Sequence, residues 1–190
     1  MFQKTVSFLN VSFFHVCMAK VRRAVAYRKL ERPYTRKSKY RSKQFVRAVP
    51  HNKIVKFEMG NNKKDFEYKV SLKVDTDIQL RHNSLEAARM TANRLLERTC
   101  GKNGYMLKLR VYPHHVLREN PLAAGAGADR MSTGMKRSFG KPVGLAAQVR
   151  KGQVIFQASV DENFLPVAKK AVNRARYKLP CSFTLEVEKN

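Results

Sequence analysis

The chain has 190 residues, no tryptophan, three cysteines and only 14 acidic residues against 39 Lys and Arg. Cys17, Cys100 and Cys181 stand apart, with no Cys-x-x-Cys pair. An odd total of isolated cysteines argues against a disulfide scaffold or a zinc ribbon and fits a reducing compartment. No apolar run approaches the roughly 20 residues needed to cross a bilayer. The shortage of acid leaves a net charge of +25 and a pI near 10.4. A compact state with that much self-repulsion gains from a polyanion, of which nucleic acid is the commonest and an anionic membrane surface the next. A membrane-active protein would need a basic amphipathic helix with large apolar residues, which is not found. The apolar fraction is 43%, with 11 Phe and 7 Tyr, so a folded body is expected rather than a disordered basic chain. The length suits one domain with tails.

Glycine is also scarce, and five of the nine fall in one stretch, at Gly125, Gly127, Gly134, Gly140 and Gly144. The stretch from Asn120 to Arg150 holds Arg130, Lys136, Arg137, Lys141 and Arg150 against the single acid Asp129. Small residues let backbone approach a partner closely, and the charges favour an anionic one. The segment reads as a basic, glycine-rich projection that meets RNA. Gly125-Ala126-Gly127 resembles a dinucleotide fingerprint, but Arg130 stands where its third glycine belongs and no strand leads into it. A phosphate-binding P-loop at Gly134 to Lys141 fails because five residues separate the glycines and Pro142 follows the lysine. A surface loop with no role is the remaining alternative.

Residues Met1 to Cys17 are apolar and unlike the rest of the chain; they read as an upstream extension from an over-long reading frame, with Met18 as the start. Residues 18–50 form a basic arm. Twelve basic residues lie between Lys20 and Arg47, against Glu31 alone. Arg22, Arg23, Arg28, Lys29, Arg32, Arg36, Lys37, Lys39, Arg41 and Lys43 are candidates for phosphate contact, and Tyr27, Tyr34, Tyr40 and Phe45 among them for stacking on bases. A solvated tail or a localisation signal is the competing reading.

Residues 51–190 are expected to form a single domain with a projecting loop over 121–142. Ile54 to Glu58 is strand-like, and Phe66 to Leu80 alternates through Tyr68, Val70, Leu72 and Val74 as one strand. A helix comes next, capped by Asn83 with Glu86 reaching back, striped by Leu85, Ala88, Ala92, Leu95 and Leu96, and ended by Gly101. Tyr105 to Val111 returns as a strand. His114 and His115 lead toward the loop. Neighbours on extended chain point opposite ways, so RNA contact or packing suits them better than a shared metal. Gly144 to Arg150 and Gln153 to Val160 read as a hairpin turning at Lys151-Gly152. A second helix spans about Asn163 to Lys178, with Val167, Ala168, Ala171, Val172 and Ala175 inward. Its cations Lys169, Lys170, Arg174, Arg176 and Lys178 meet no acid, which favours an anionic partner. Cys181 to Glu188 alternates as a last strand. The order defines an α+β fold, a two-layer α/β sandwich with two helices on a mostly antiparallel sheet.

Ala126-Gly127-Ala128-Asp129-Arg130, Thr133-Gly134-Met135, Phe139-Gly140-Lys141-Pro142, Leu85-Glu86-Ala87-Ala88-Arg89, Cys100-Gly101-Lys102 and Arg110-Val111-Tyr112-Pro113-His114-His115-Val116 together resemble the large-subunit ribosomal protein L-sixteen family, in the archaeal and eukaryotic branch called L-ten-e. The resemblance runs from about Met18 to near the end. It implies a hammerhead-type sandwich lying on large-subunit rRNA beside the aminoacyl-tRNA site, in the cytoplasm, without catalytic residues, cofactor or metal. It also implies that the loop, with Gly125, Gly127, Asp129, Arg130, Thr133, Gly134, Lys136, Arg137, Gly140 and Lys141, reaches toward the peptidyl-transferase centre and tRNA. Out and back, the 22 residues from Pro121 to Pro142 could extend roughly 35 Å at about 3.3 Å per residue. Expected partners are rRNA, tRNA and neighbouring ribosomal proteins, with no membrane and no homo-oligomer. The alternatives are a stand-alone RNA-binding protein or an RNA-modifying enzyme; the second lacks a Cys-His or carboxylate pair at usable spacing.

Overall fold

A computed structural model describes residues 21–31, 40–43, 48–121, 134–136 and 138–189. The elements in chain order are β1 (Glu58–Gly60), β2 (Tyr68–Val74), β3 (Ile78–Arg81), α1 (His82–Cys100), β4 (Tyr105–Leu109), β5 (His115–Glu119), β6 (Lys141–Val149), β7 (Val154–Val160), α2 (Leu165–Arg176) and β8 (Phe183–Lys189). They build two sheets, one of five strands in the order β1-β4-β7-β2-β8 and one of three in the order β3-β6-β5. Every pairing among them is antiparallel. The α+β sandwich with two helices is the expected class.

Alternation explains the simple strands. Tyr105, Leu107 and Leu109 of β4 face inward between half-buried neighbours, as a period of two requires. Strand β7 lies between β4 and β2, and its adjacent Ile155 and Phe156 are both fully buried. The same core takes Leu85, Ala88, Ala92 and Leu96 of α1 and Ala168, Ala171, Val172 and Ala175 of α2, spacings that place each set on one helical face. Helix α2 packs on α1 and on β2, β7 and β8, while α1 also reaches β3 and β6. The two sheets are thereby tied through the helices.

Five details differ from the sequence reading. The strand expected over Ile54 to Glu58 begins only at Glu58 and runs to Gly60 as β1. Phe66 to Leu80 is not one strand: the chain turns at residues 75–77 and passes from the larger sheet to the smaller. Asp75 accepts the Thr184 hydroxyl at 2.6 Å and Asp77 accepts the Lys151 N–H at 2.7 Å, short carboxylates of the kind that stabilise turns. Lys151-Gly152 does turn, but it joins no hairpin. Strand β6 pairs with β3 and β5, whereas β7 pairs with β2 and β4, so this turn is the return crossing between sheets. Helix α1 starts at His82 without a side-chain cap, because β3 runs straight into it. Glu86 turns instead to the largely buried Arg89, with contacts of 2.5 and 2.8 Å; a guanidinium out of water needs its counter-charge more than the helix start needs a cap. Strand β5, finally, is ordered structure where the sequence suggested only a lead into the loop.

Candidate nucleic-acid interface

Strand β5 decides what the projecting loop is. It pairs with β6 from His115↔Ala146 to Glu119↔Lys141, with a bulge between Leu117 and Arg118. The stretch between Glu119 and Lys141 is therefore the closed end of a long hairpin. Its root is fastened by several contacts. Asn120 Nδ2 donates to the Gly134 carbonyl at 2.9 Å, and Arg118 Nη1 donates to the Phe139 carbonyl at 2.9 Å. The Arg118 guanidinium also lies 3.6 Å from the centre of the Phe139 ring, in stacking range. Gly140 has φ +77, and a Cβ there would stand 2.8 Å from the Glu119 carbonyl carbon.

The N-terminal arm meets the same root. Residues Ala24–Tyr27 form a short 3-10 turn, and Tyr27 is buried with Leu117 and Ala146 against the smaller sheet. Its hydroxyl donates to Glu119 Oε1 at 2.6 Å, and Arg22 Nε donates to the same oxygen at 2.8 Å. The backbone N–H of Arg22 donates to the Tyr27 hydroxyl at 2.9 Å. The Gln79 N–H donates to the Arg28 carbonyl at 3.0 Å, and the Gln79 amide to the Tyr27 carbonyl at 3.1 Å. Burial, and then the bond to Glu119, raises the Tyr27 pKa; the Glu119 hydrogen bond raises that of Arg22. Part of the arm is thus seated on the sheet.

The candidate contacts divide by position. Arg22, Arg23, Arg28 and Lys29 are exposed around the seated turn, as is Lys43, whose ammonium lies 5.2 Å from the Tyr40 ring centre. Arg41 falls in a second 3-10 turn. Arg32, Arg36, Lys37 and Lys39 lie outside the described residues, as do Gly125, Gly127, Asp129, Arg130, Thr133 and Arg137 of the loop. Gly134, Lys136, Gly140 and Lys141 are at the described part of the hairpin, with Lys136 and Lys141 exposed. On α2 and just beyond it, Lys169, Lys170, Arg174, Arg176 and Lys178 are all exposed, and among the described residues none of them is in an ion pair. The histidines separate as extended chain demands: His114 is exposed and His115 buried. Sequence reasoning missed Tyr112. It is 46% exposed, stacks on Phe57 at 5.3 Å and lies 4.6 Å from the His114 ring, so three rings from two segments form one surface patch. The alternation Tyr112-x-His114 was the available signal.

Among the described residues, no group of three or more His, Cys, Asp and Glu side chains comes together as a metal cage. No described helix is long and apolar enough to cross a membrane.

An α+β sandwich that holds a hairpin at its root and exposes five cations on and beside one acid-free helix has the charge distribution of a scaffold suited to a polyanion. The family model described as ribosomal protein L16p/L10e matches residues 31–186. The large ribosomal subunit protein uL16 of Methanococcus maripaludis strain C7 is 47% identical over 155 residues, 82% of this chain and 90% of the relative. The uL16 protein of Staphylothermus marinus is 49% identical over 148 residues, 78% of this chain and 82% of the relative. That of Archaeoglobus fulgidus is 44% identical over 163 residues, 86% and 90% respectively. The chain belongs to the ribosomal protein L16p/L10e family.

The root geometry predicts a difference between two glycines. Both Gly134 and Gly140 have positive φ, but a Cβ at Gly134 would meet nothing within 4 Å among the described residues. Gly134→Ala should cost only the conformational strain of about 1–2 kcal/mol, whereas Gly140→Ala adds a backbone clash and should lower the urea midpoint clearly further.

Proposed function

We propose that this chain, a structural ribosomal protein rather than an enzyme, lies on large-subunit rRNA beside the aminoacyl-tRNA site, as a single copy, with its hairpin loop reaching toward the peptidyl-transferase centre and tRNA acceptor ends. Membership of the L16p/L10e family carries the reading, and the charge distribution supports it. In this reading the arm over residues 18–50 and the outer face of α2 neutralise rRNA phosphates, through Arg23, Arg28 and Lys29 on one side and Lys169, Lys170 and Arg174 on the other. The domain over residues 51–190 acts as the scaffold.

The loop suits a shaping role rather than a chemical one. Its root is held by side-chain and backbone bonds at Arg118, Asn120 and Gly140, so a tip rich in small residues can approach RNA closely while its base stays placed. The reactive chemistry at such a site belongs to RNA.

Replacing Lys169, Lys170 and Arg174 together by Gln should reduce the steepness with which rRNA affinity falls with salt by about two to three in log–log slope, at about 0.9 for each phosphate no longer neutralised; an unchanged slope would remove α2 from the interface. Subunits carrying a chain whose residues 124–133 are replaced by a short linker should assemble yet form peptide bonds more slowly, and an undiminished rate would deny the loop its role.

A further inference from the structure

From Leu109 to His115 burial alternates at every residue. Leu109, Val111, Pro113 and His115 are buried, and Arg110, Tyr112 and His114 between them are exposed. Extended chain places alternate residues on one side, so a guanidinium, a phenol ring and an imidazole stand in a row on the surface just before β5. A second segment completes the row. The ring of Phe57, half-buried and packed against the main core, stacks on Tyr112 at 5.3 Å with the planes 22° apart. The His114 ring lies 4.6 Å from Tyr112, tilted by 44°. The pile is thus anchored to the core at Phe57 and exposed at Tyr112 and His114.

The backbone beneath the rings is held. The Leu109 N–H donates to the Phe57 carbonyl at 2.8 Å, and the Arg110 N–H to the Ile155 carbonyl at 2.8 Å. Pro113, buried between the two exposed rings, has its φ fixed by its own ring. Aromatic surface held in place before a ligand arrives spares the ordering cost of binding.

A flat ring left exposed beside other rings suits a flat partner, because aromatic groups favour offset stacking. Charge says what else the partner carries. The sequence has no acid from Arg98 to Arg118, and Arg110 is in no ion pair among the described residues. The one acid adjoining Phe57 in the chain, Glu58, is paired with Lys108, and Lys56 on the other side is exposed. An apolar protein surface would cover the rings and leave Arg110 unanswered. A single strand of RNA offers bases to the rings and phosphates to the cations.

We infer that this pile is a stacking seat for one unpaired base of an RNA strand, with the base lying on the rings of His114 and Tyr112 and Arg110 drawing in the neighbouring phosphate. The inference rests on the reading of the chain as an rRNA-binding protein and deepens it, from neutralising phosphates to gripping a base. Stacking of this kind tolerates any base, since each has a π face. His114 directly precedes β5, so a base seated here fixes RNA at the start of the strand that leads into the hairpin loop.

The full-length chain, bound to protein-free large-subunit rRNA in a filter assay, provides the test. His114→Ala should weaken binding about tenfold, the loss expected for one base–aromatic contact. His114→Phe keeps a ring without the imidazole nitrogens and should stay within about threefold of the wild type. Thermal melts establish that both variants fold. A second measurement needs no variant: the ring protons of His114 in the wild type, followed by NMR, should move upfield when an oligoadenylate hexamer is added, because a stacked base shields them. A hexamer of abasic ribose phosphates should not reproduce that shift. Equal rRNA affinity for folded His114→Ala would overturn the inference and leave the patch to a neighbouring protein. A loss in His114→Phe as large as in His114→Ala would assign the contact to the imidazole nitrogens and overturn it too. So would His114 protons that the hexamer leaves in place, or that the abasic strand moves equally, since phosphate contact alone would then account for binding. Failure of the wild type itself to bind rRNA would remove the underlying reading, a result distinct from wild-type binding that is indifferent to the rings.

Discussion

The carboxylate of Glu119 is the point at which arm, sheet and loop meet. A largely buried acid is tolerable only with its charge answered and its oxygens bonded, and one oxygen here takes both the Arg22 guanidinium and the Tyr27 hydroxyl. Glu119 is also the last residue of β5, paired with Lys141 at the first residue of β6, and its backbone leaves no room for a side chain at residue 140. The need to satisfy one acid therefore places a 3-10 turn on the smaller sheet, at the residue whose backbone also packs against the base of the loop.

The scarce acids elsewhere are placed in a related way. Glu58 pairs with Lys108, Glu86 with Arg89, Asp161 with Lys64 and Glu186 with Lys73, so they answer cations on the strands, on α1 and in the turn before β2. None of these pairs involves α2. Apart from the largely buried Glu86–Arg89 pair, these are partly exposed and contribute little stability each, but the placement of all four leaves Lys169, Lys170, Arg174, Arg176 and Lys178 exposed in one region with no ion pair among the described residues. A single-sign surface raises local potential and draws polyanion, at the expense of the free protein's compactness. A ribosomal protein that works within RNA can carry that imbalance.

Much of the fold was legible in the sequence, because alternation and helical stripes are local. Tyr105, Leu107 and Leu109, the Leu85 to Leu96 stripe and the alanines of α2 all face where spacing puts them. Strand partnership was not legible. Nothing in Gly144 to Val160 distinguishes two strands of a hairpin from two strands of different sheets, since both are apolar and the turn at Lys151-Gly152 serves either arrangement. The capping box at Asn83 failed because the buried Arg89 competes for Glu86, a tertiary effect. At the interface, charge and glycine content pointed to the arm, α2 and the loop. The seating of Tyr27 depends on Glu119, 92 residues away, and no local pattern announces it. His115 likewise reads as one of an adjacent pair until burial separates it from His114.

The coupling between Tyr27 and Glu119 is the quantity that tests the shared root of arm and loop most directly. It is read from urea unfolding of the wild type, Tyr27→Phe, Glu119→Gln and the double variant. A direct bond at 2.6 Å predicts that the two losses are not additive, with an interaction energy of about 1–3 kcal/mol. Losses that add to within about 0.5 kcal/mol would mean that the arm and the loop root stand independently, and would contradict the account.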